Sequence, residues 1–229
     1  MPARPILVFD VNETLLDLDH LRPFFDKIFG DPTVMRDWFA QLILYSQTLT
    51  ISGLRSDFGT LAGAVLRMTG EIRGMIITDA HADALRQAIG TMPAHPDAAY
   101  ALKYLQQQGF RMVTLTNSPP SERQSPLHRA GLAGYFEASF SVQPTGRFKP
   151  APQTYQLVAD TLVIPPRDLC LVACHVWDTI GMQALGGKGA LVTHGVNAPL
   201  ILPDVPQPDV VATDLRALAH AIAKRWANA

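Results

Sequence analysis

The sequence predicts an α/β fold, a doubly wound parallel sheet interrupted by a helical cap, and three observations carry the prediction. Short β-branched runs without alternation occur at 6–10, 111–116, 169–173, 190–193 and 210–212, the pattern of strands buried on both faces. Amphipathic segments at 96–108, 120–131, 152–163, 178–185 and 214–226 alternate with the later runs, as a parallel sheet requires. Residues 15–94, between the first strand and the helix near 96, contain no strand-like run and show helical patterns at 20–29, 33–49, 54–69 and 77–89.

Taken in chain order, the run 6–10 ends on a carboxylate, Asp10, followed by Val11, Asn12 and Thr14 in a tight turn. The insertion 15–94 leaves the sheet at that point and returns near it, so it should lie over the same edge and close a pocket there. The expected division is therefore a core of 1–14 and 95–229 with a cap of 15–94. The second run ends VTLTNS, and the helix at 152–163 is announced by FKPAPQTY. The third run continues into LVACHVWD, and the proline-rich stretch 199–208, PLILPDVPQP, interrupts the pattern before the last strand and helix.

Composition excludes several function classes. The chain has 229 residues, 48% hydrophobic and 17% charged, enough apolar material for one large core or two small ones, so disorder is excluded. Nineteen basic against twenty acidic side chains give a net charge of -1, without the basic surplus that binding to a nucleic acid backbone demands. Cys170 and Cys174 lie four apart within one apolar run, too few and too close for a disulfide framework. They read as reduced thiols of a cytoplasmic protein. No window approaches a membrane span, and the apolar stretch 5–9 is cut off by Asp10, so neither insertion nor export is expected. The prolines and glycines are spread as punctuation, with no repeat.

In open α/β sheets ligands bind outside the carboxyl ends of the strands, which directs attention to Asp10, Thr116, Asn117 and the residues after Ala173. A strand-end carboxylate, a Thr-Asn turn and a lone lysine are each ordinary surface features. Together they form a set. Thr116 and Asn117 offer a hydroxyl and an amide for the oxygens of a carboxylate or phosphate, and Lys149 beside Asp10 would balance charge during nucleophilic attack by an aspartate. The histidines at 20, 81, 95, 128, 194 and 220 have no metal-ligand spacing.

FDVNETLLD, Thr116, the Lys149-Pro150 pair and LVACHVWD resemble, in order, the motifs of the haloacid dehalogenase superfamily, whose fold is a Rossmann-like core with an inserted cap. Its phosphatases carry a second aspartate two places after the nucleophile and an acidic pair in the last motif. Here Asn12 occupies the first of these places, and Cys174 and Asp178 occupy the pair. A hard cation prefers oxygen ligands and a phosphoryl leaving group needs an acid, so a magnesium phosphatase is disfavoured. ACHVWD, residues 173–178, is similar instead to the last motif of the L-2-haloacid dehalogenases, SSNxWD, with His175 in the place of its asparagine and Ala173 and Cys174 in the places of its serines.

That resemblance covers nearly the whole chain, and it implies a hydrolase of short 2-haloalkanoic acids that uses neither metal nor cofactor. Asp10 would displace halide from C2 with inversion, and the resulting ester would be hydrolysed by water activated or oriented by Asp178. Lys149 would be the charge partner, Tyr155 its support, and Thr14, Thr116 and Asn117 polar ligands. Val11, Asn12, Phe39 and Trp177 would line the substrate site, Trp177 and Asn117 offering N–H groups to the departing halide, which needs no proton. The resemblance also implies a homodimer, to which helix 33–49 could contribute Trp38, Leu42, Ile43 and Leu49.

The chain departs from that group in the cap. Aligning Trp38 and Tyr45 puts Phe39 where the group has an arginine that holds substrate or receives halide. Arg36, three residues earlier, either reaches in or is an exposed helix arginine. Asn12 stands where the group has an aromatic residue. His175 is either a packed strand-end histidine or a group that donates a hydrogen bond or moves a proton to the hydrolytic water. Phe58, Ile43 and Phe39 are either pocket residues or simple core. Two further readings remain: an atypical phosphatase or other hydrolase of the superfamily, and a catalytically weak relative that binds a small carboxylate.

Overall fold

The computed structural model describes residues 4–119 and 125–226. Six strands, β1 (Ile6–Phe9), β2 (Met112–Thr116), β3 (Ala138–Ser141), β4 (Leu169–Ala173), β5 (Lys188–Val192) and β6 (Val210–Ala212), form one sheet in the order β3-β2-β1-β4-β5-β6. Every adjacent pair is parallel, with Val8 opposite Val113 on one side and Leu171 on the other. β1 and β4 are buried along their whole length, which explains why both read as continuous apolar runs.

Five of the six strands coincide with the runs expected from sequence. The sixth, β3, was not anticipated: ASFS contains a single bulky apolar residue and pairs only with β2 at the sheet edge. β5 begins at Lys188 rather than 190.

The helices α1 (Arg22–Phe29), α2 (Val34–Ile51), α3 (Phe58–Ile72) and α4 (Asp79–Gly90) make up the insertion, and α5 (Ala98–Gln107), α7 (Pro152–Leu162), α8 (Val176–Ala184) and α9 (Leu215–Trp226) flank the sheet. The helix expected at 120–131 is short: α6 spans Pro126–Arg129, and residues 120–124 of that expectation lie outside the described residues. α5 packs on α9 and α7 on α8, and the crossovers β1–α5–β2 and β3–α7–β4, right-handed and running in opposite directions along the sheet, place α5 and α7 on opposite faces. The strand order reverses direction between β1 and β4, so the crevice for a ligand opens at their carboxyl ends.

The insertion is tied at its neck. His95 N donates to Leu15 O at 2.9 Å, Asp17 N donates to Pro93 O at 2.8 Å, and Leu16 bridges Ala94 antiparallel. Local chemistry starts its helices: the Asp57 carboxylate accepts from Thr60 N at 2.8 Å, and Thr78 and His81 form a capping box. Trp38 and Leu42, which the sequence offered as subunit-interface residues, are each 1% exposed. They are committed to the protein's own core, and Trp38 Nε1 donates to Ala62 O at 3.1 Å. The large hydrophobic side chains that α2 exposes are instead Leu44, Tyr45 and Ile51. No described helix is long and apolar enough to cross a membrane.

Candidate active site

β1 and β4 run side by side until Asp10, whose N–H still donates to Val172 O at 3.0 Å. There the two chains diverge, and Asp10 enters the crevice with only 7% of its surface exposed. Its two oxygens are separately held. Thr14 Oγ1 donates to Oδ2 at 2.7 Å and itself accepts from Cys174 N at 3.0 Å, binding the turn after β1 to the end of β4. Lys149 Nζ donates to Oδ1 at 2.7 Å.

The Lys149 ammonium has three protons and three acceptors: Asp10, Asp178 Oδ2 at 2.6 Å and Leu115 O at 3.1 Å. Its backbone N donates to Asn117 Oδ1 at 2.9 Å, which links the end of β2 to the lysine. Asp178, in the first turn of α8, is fully buried, and its Oδ1 accepts from Tyr155 Oη at 2.5 Å. Gly181 makes this contact possible, because a Cβ there would lie 2.6 Å from Tyr155 Oη and from Pro150 Cβ.

Burial shapes the electrostatics of this cluster. It penalises the charged form of Lys149, yet the charges of Asp10 and Asp178 outweigh it and the ammonium's pKa is raised. Asp178 is pushed up by burial and by the charge of Asp10, against the pull of Lys149. Tyr155 is raised well above the ordinary phenol value by burial and by Asp178, so it remains a donor.

His175 precedes α8 and stacks on Phe39 and Trp177, with ring centroids 5.5 and 5.3 Å away. Its Nδ1 is 3.3 Å from Cys174 Sγ and its Nε2 is 2.8 Å from Glu13 Oε2. Arg36 donates to Glu13 Oε1 and, at 2.8 Å, to Asp19. It is thus neither free in solvent nor in the cavity, but tied to the turn after β1. Asn12 Nδ2 donates to Ser118 Oγ at 3.3 Å, and no carboxylate stands at position 12.

Asp10, Asn12, Phe39, Ile43, Phe58, Thr116, Asn117, His175 and Trp177 surround a cavity of about 20 Å³, room for roughly one small solute group or water. Asn12, Phe39 and Phe58 also border a larger cavity of about 560 Å³ between the insertion and the core. Thr14, Lys149, Tyr155 and Asp178 do not line the small cavity; they form its buried support. Val11 faces elsewhere, toward a hollow shared with Thr114, Thr116 and Ser139.

Sequence reasoning missed Glu13 and Ser118. Glu13 follows Asn12 in a turn where charged residues are commonplace, and its burial depends on Arg36 and His175, distant in sequence. No spacing rule would have revealed that contact.

Donor atoms of Asp10, Cys174 and His175 fall within 4.8 Å of one another, but the set is a poor match for magnesium. A hard cation needs oxygen ligands, whereas this group offers a thiol and an imidazole. The Lys149 ammonium bridges Asp10 and Asp178, and Asp10 is the one carboxylate of the set.

A model of the haloacid dehalogenase-like hydrolases matches residues 5–186. The chain is 28% identical over 202 residues to (S)-2-haloacid dehalogenase 1 of Pseudomonas sp. (strain CBS-3), covering 87% of this chain and 88% of the relative. It is 26% identical over 223 residues to (S)-2-haloacid dehalogenase 4A of Burkholderia cepacia, covering 96% and 92%. Its fold is similar to that of L-2-haloacid dehalogenase from Xanthobacter autotrophicus, solved with chloropropionic acid covalently bound, at a TM-score of 0.85 and 23% identity over 95% of this chain and 97% of that one.

Proposed function

The chain belongs to the haloacid dehalogenase-like hydrolases, and within that family we propose that it is a metal-independent dehalogenase of short 2-haloalkanoic acids, converting an L-2-haloacid and water to a 2-hydroxyacid and halide. The observation that carries this reading is the Lys149 ammonium, 2.7 Å from Asp10 and 2.6 Å from Asp178. It holds both carboxylates in ion pairs, while Asn12 supplies no acid for a phosphoryl leaving group. The similarity to relatives named (S)-2-haloacid dehalogenase supports the same substrate class.

In the first step an Asp10 oxygen attacks C2 of the substrate from the side opposite the halogen. The C–X bond breaks, halide leaves with its electron pair, and an ester forms on Asp10. The Asn117 amide and the Trp177 indole at the cavity wall offer the departing anion weak donors. Thr14 and Lys149 hold the nucleophile in place, and a cavity with little room for water keeps its hydration low.

In the second step water attacks the carbonyl carbon of the ester. Lys149 balances the oxyanion that develops on Asp10, and Asp178, paired with the lysine from behind, keeps that ammonium oriented. Collapse breaks the bond to the alkyl oxygen, which takes one proton of the water as the 2-hydroxyacid leaves, and the other proton is released to solvent as the Asp10 carboxylate is regenerated. Tyr155 fixes Asp178 from behind. Thr116 and His175 complete the polar wall, with Asn12 and Phe39 shaping the space around it.

On this reading residues 15–94 are a cap that closes over the crevice. The protein works as a cytoplasmic homodimer, with the exposed Leu44 and Ile51 of α2 supplying apolar contact surface and Cys170 and Cys174 reduced.

The test is halide release from L- and D-2-chloropropionate and from fluoroacetate, with EDTA present, by the wild type and Asp10→Asn. Release of chloride from the L-acid that ignores EDTA and disappears in the variant is expected. No release from any of them, with turnover of phosphoesters on adding Mg²⁺, would overturn the reading in favour of a phosphatase. No turnover of either class would leave a protein that only binds small carboxylates.

A further inference from the structure

The steps above make no use of Glu13, a carboxylate 2% exposed that lies beside the cavity. Its φ of 66° is in the left-handed region, where glycine is comfortable and a longer side chain is strained. The carboxylate closes on two cationic side chains. Oε2 is 2.8 Å from His175 Nε2, and Oε1 accepts from Arg36, which is braced in turn by Asp19.

His175 is the one residue lining the small cavity, among the described residues, that can carry positive charge. Lys149 is saturated by Asp10, Asp178 and Leu115 O. A 2-haloacid is an anion, and it must approach the like-charged Asp10 carboxylate at a few ångströms, which is costly without a nearby cation. A nitrogen of His175 lies within 4.8 Å of an Asp10 oxygen. While Nε2 is held by Glu13, the partner of Nδ1 among the described residues is Cys174 Sγ at 3.3 Å. A thiol is a weak acceptor, and a carboxylate oxygen would displace it.

We propose that Glu13 is a positioning residue for substrate binding: braced by Arg36, it fixes His175 as an imidazolium at the cavity wall, and that cation binds the substrate's carboxylate through Nδ1–H. The groups that face the ring are Glu13 and Asp10 from the turn after β1 and Cys174 from the end of β4, with Arg36 of α2 behind Glu13 and Lys149 behind Asp10. Burial disfavours the charged ring, but the contacts with Cys174 and Glu13 oppose it, and the imidazole's pKa stands well above 6.5.

The proposal rests on the reading of this cavity as a haloacid site, so its test measures binding apart from turnover. Propionate, an unreactive carboxylate, is titrated calorimetrically into the wild type, Glu13→Gln and Glu13→Gly across the range from about pH 5 to about pH 8, while the ring of His175 is followed by NMR. Glu13→Gly relieves the strained backbone, so it provides a variant that folds if the glutamine does not.

Removing the carboxylate lowers the pH at which the ring loses its proton. Both variants should therefore bind propionate about tenfold more weakly than the wild type near neutral pH, the gap closing on acidification as the ring recharges. Equal affinity in all three proteins, a loss of affinity that is the same at every pH, or no binding by the wild type would each overturn the proposal. Propionate binding with the expected pH dependence but no halide release would refute the dehalogenase reading and leave the Glu13–His175 assignment standing.

Discussion

The Lys149 ammonium and the Asp178 carboxylate meet at 2.6 Å in a place where neither side chain is more than 1% exposed. A buried pair is costly to form, but breaking it is costlier, because the survivor is left charged in a poorly solvated site. The pair is also what connects the nucleophile to the rest of the catalytic cluster, since the same ammonium reaches Asp10.

Lys149→Met should therefore lose about 3–5 kcal/mol of stability together with halide release. Urea denaturation and a chloride assay read the two effects. A variant that keeps wild-type stability would show that the lysine is not buried and paired as described.

Tyr155 touches Asp178 but not the cavity. Tyr155→Phe should cost about 1–3 kcal/mol by leaving Asp178 Oδ1 without its donor. In steady-state kinetics kcat should fall with KM little changed. A rise in KM alone would place Tyr155 in contact with substrate instead.

Gly181 is packed against Tyr155 and Pro150. Although alanine is normally the better helix former, Gly181→Ala should destabilise by about 1–3 kcal/mol through overpacking. A thermal melt settles the sign: a raised Tm would contradict the close approach of α7 and α8.

Stability should fall at both ends of the pH range. Burial raises the pKa of Glu13, but the hydrogen bonds and charges of His175 and Arg36 prevail and bring it from 4.5 down to about 2. Its contribution is therefore present above 4.5 and is lost as the pH falls toward 2. His175 is shifted in the opposite direction, so its contribution is complete below 6.5 and is lost as the pH rises through the higher folded value. Denaturation of His175→Asn should show a flatter alkaline side than the wild type; identical curves would dissociate the ring from the loss.

Much of this molecule was legible from sequence because its strands and helices obey local rules. β1 and β4 are buried on both faces and so are continuously apolar, and Asp10, Thr116 and His175 stand at strand ends where an α/β sheet places its ligands. β3 escaped because an edge strand needs few apolar residues. Glu13, and the pairing of Arg36 with it, escaped for a different reason. Their pairing crosses from the turn after β1 to α2, and the backbone angle that aims Glu13 at His175 leaves no mark in composition. Trp38 and Leu42 were legible as apolar, but not as belonging to this chain's own core rather than to a subunit interface.

A single turnover in H₂¹⁸O, with enzyme in excess over L-2-chloropropionate, shows whether Asp10 forms an ester that water opens at its carbonyl carbon. The lactate formed is expected to carry ordinary oxygen from Asp10, while the peptide containing Asp10 gains ¹⁸O. Labelled lactate and an unlabelled peptide would mean that water attacks C2 directly, and would contradict the ester route.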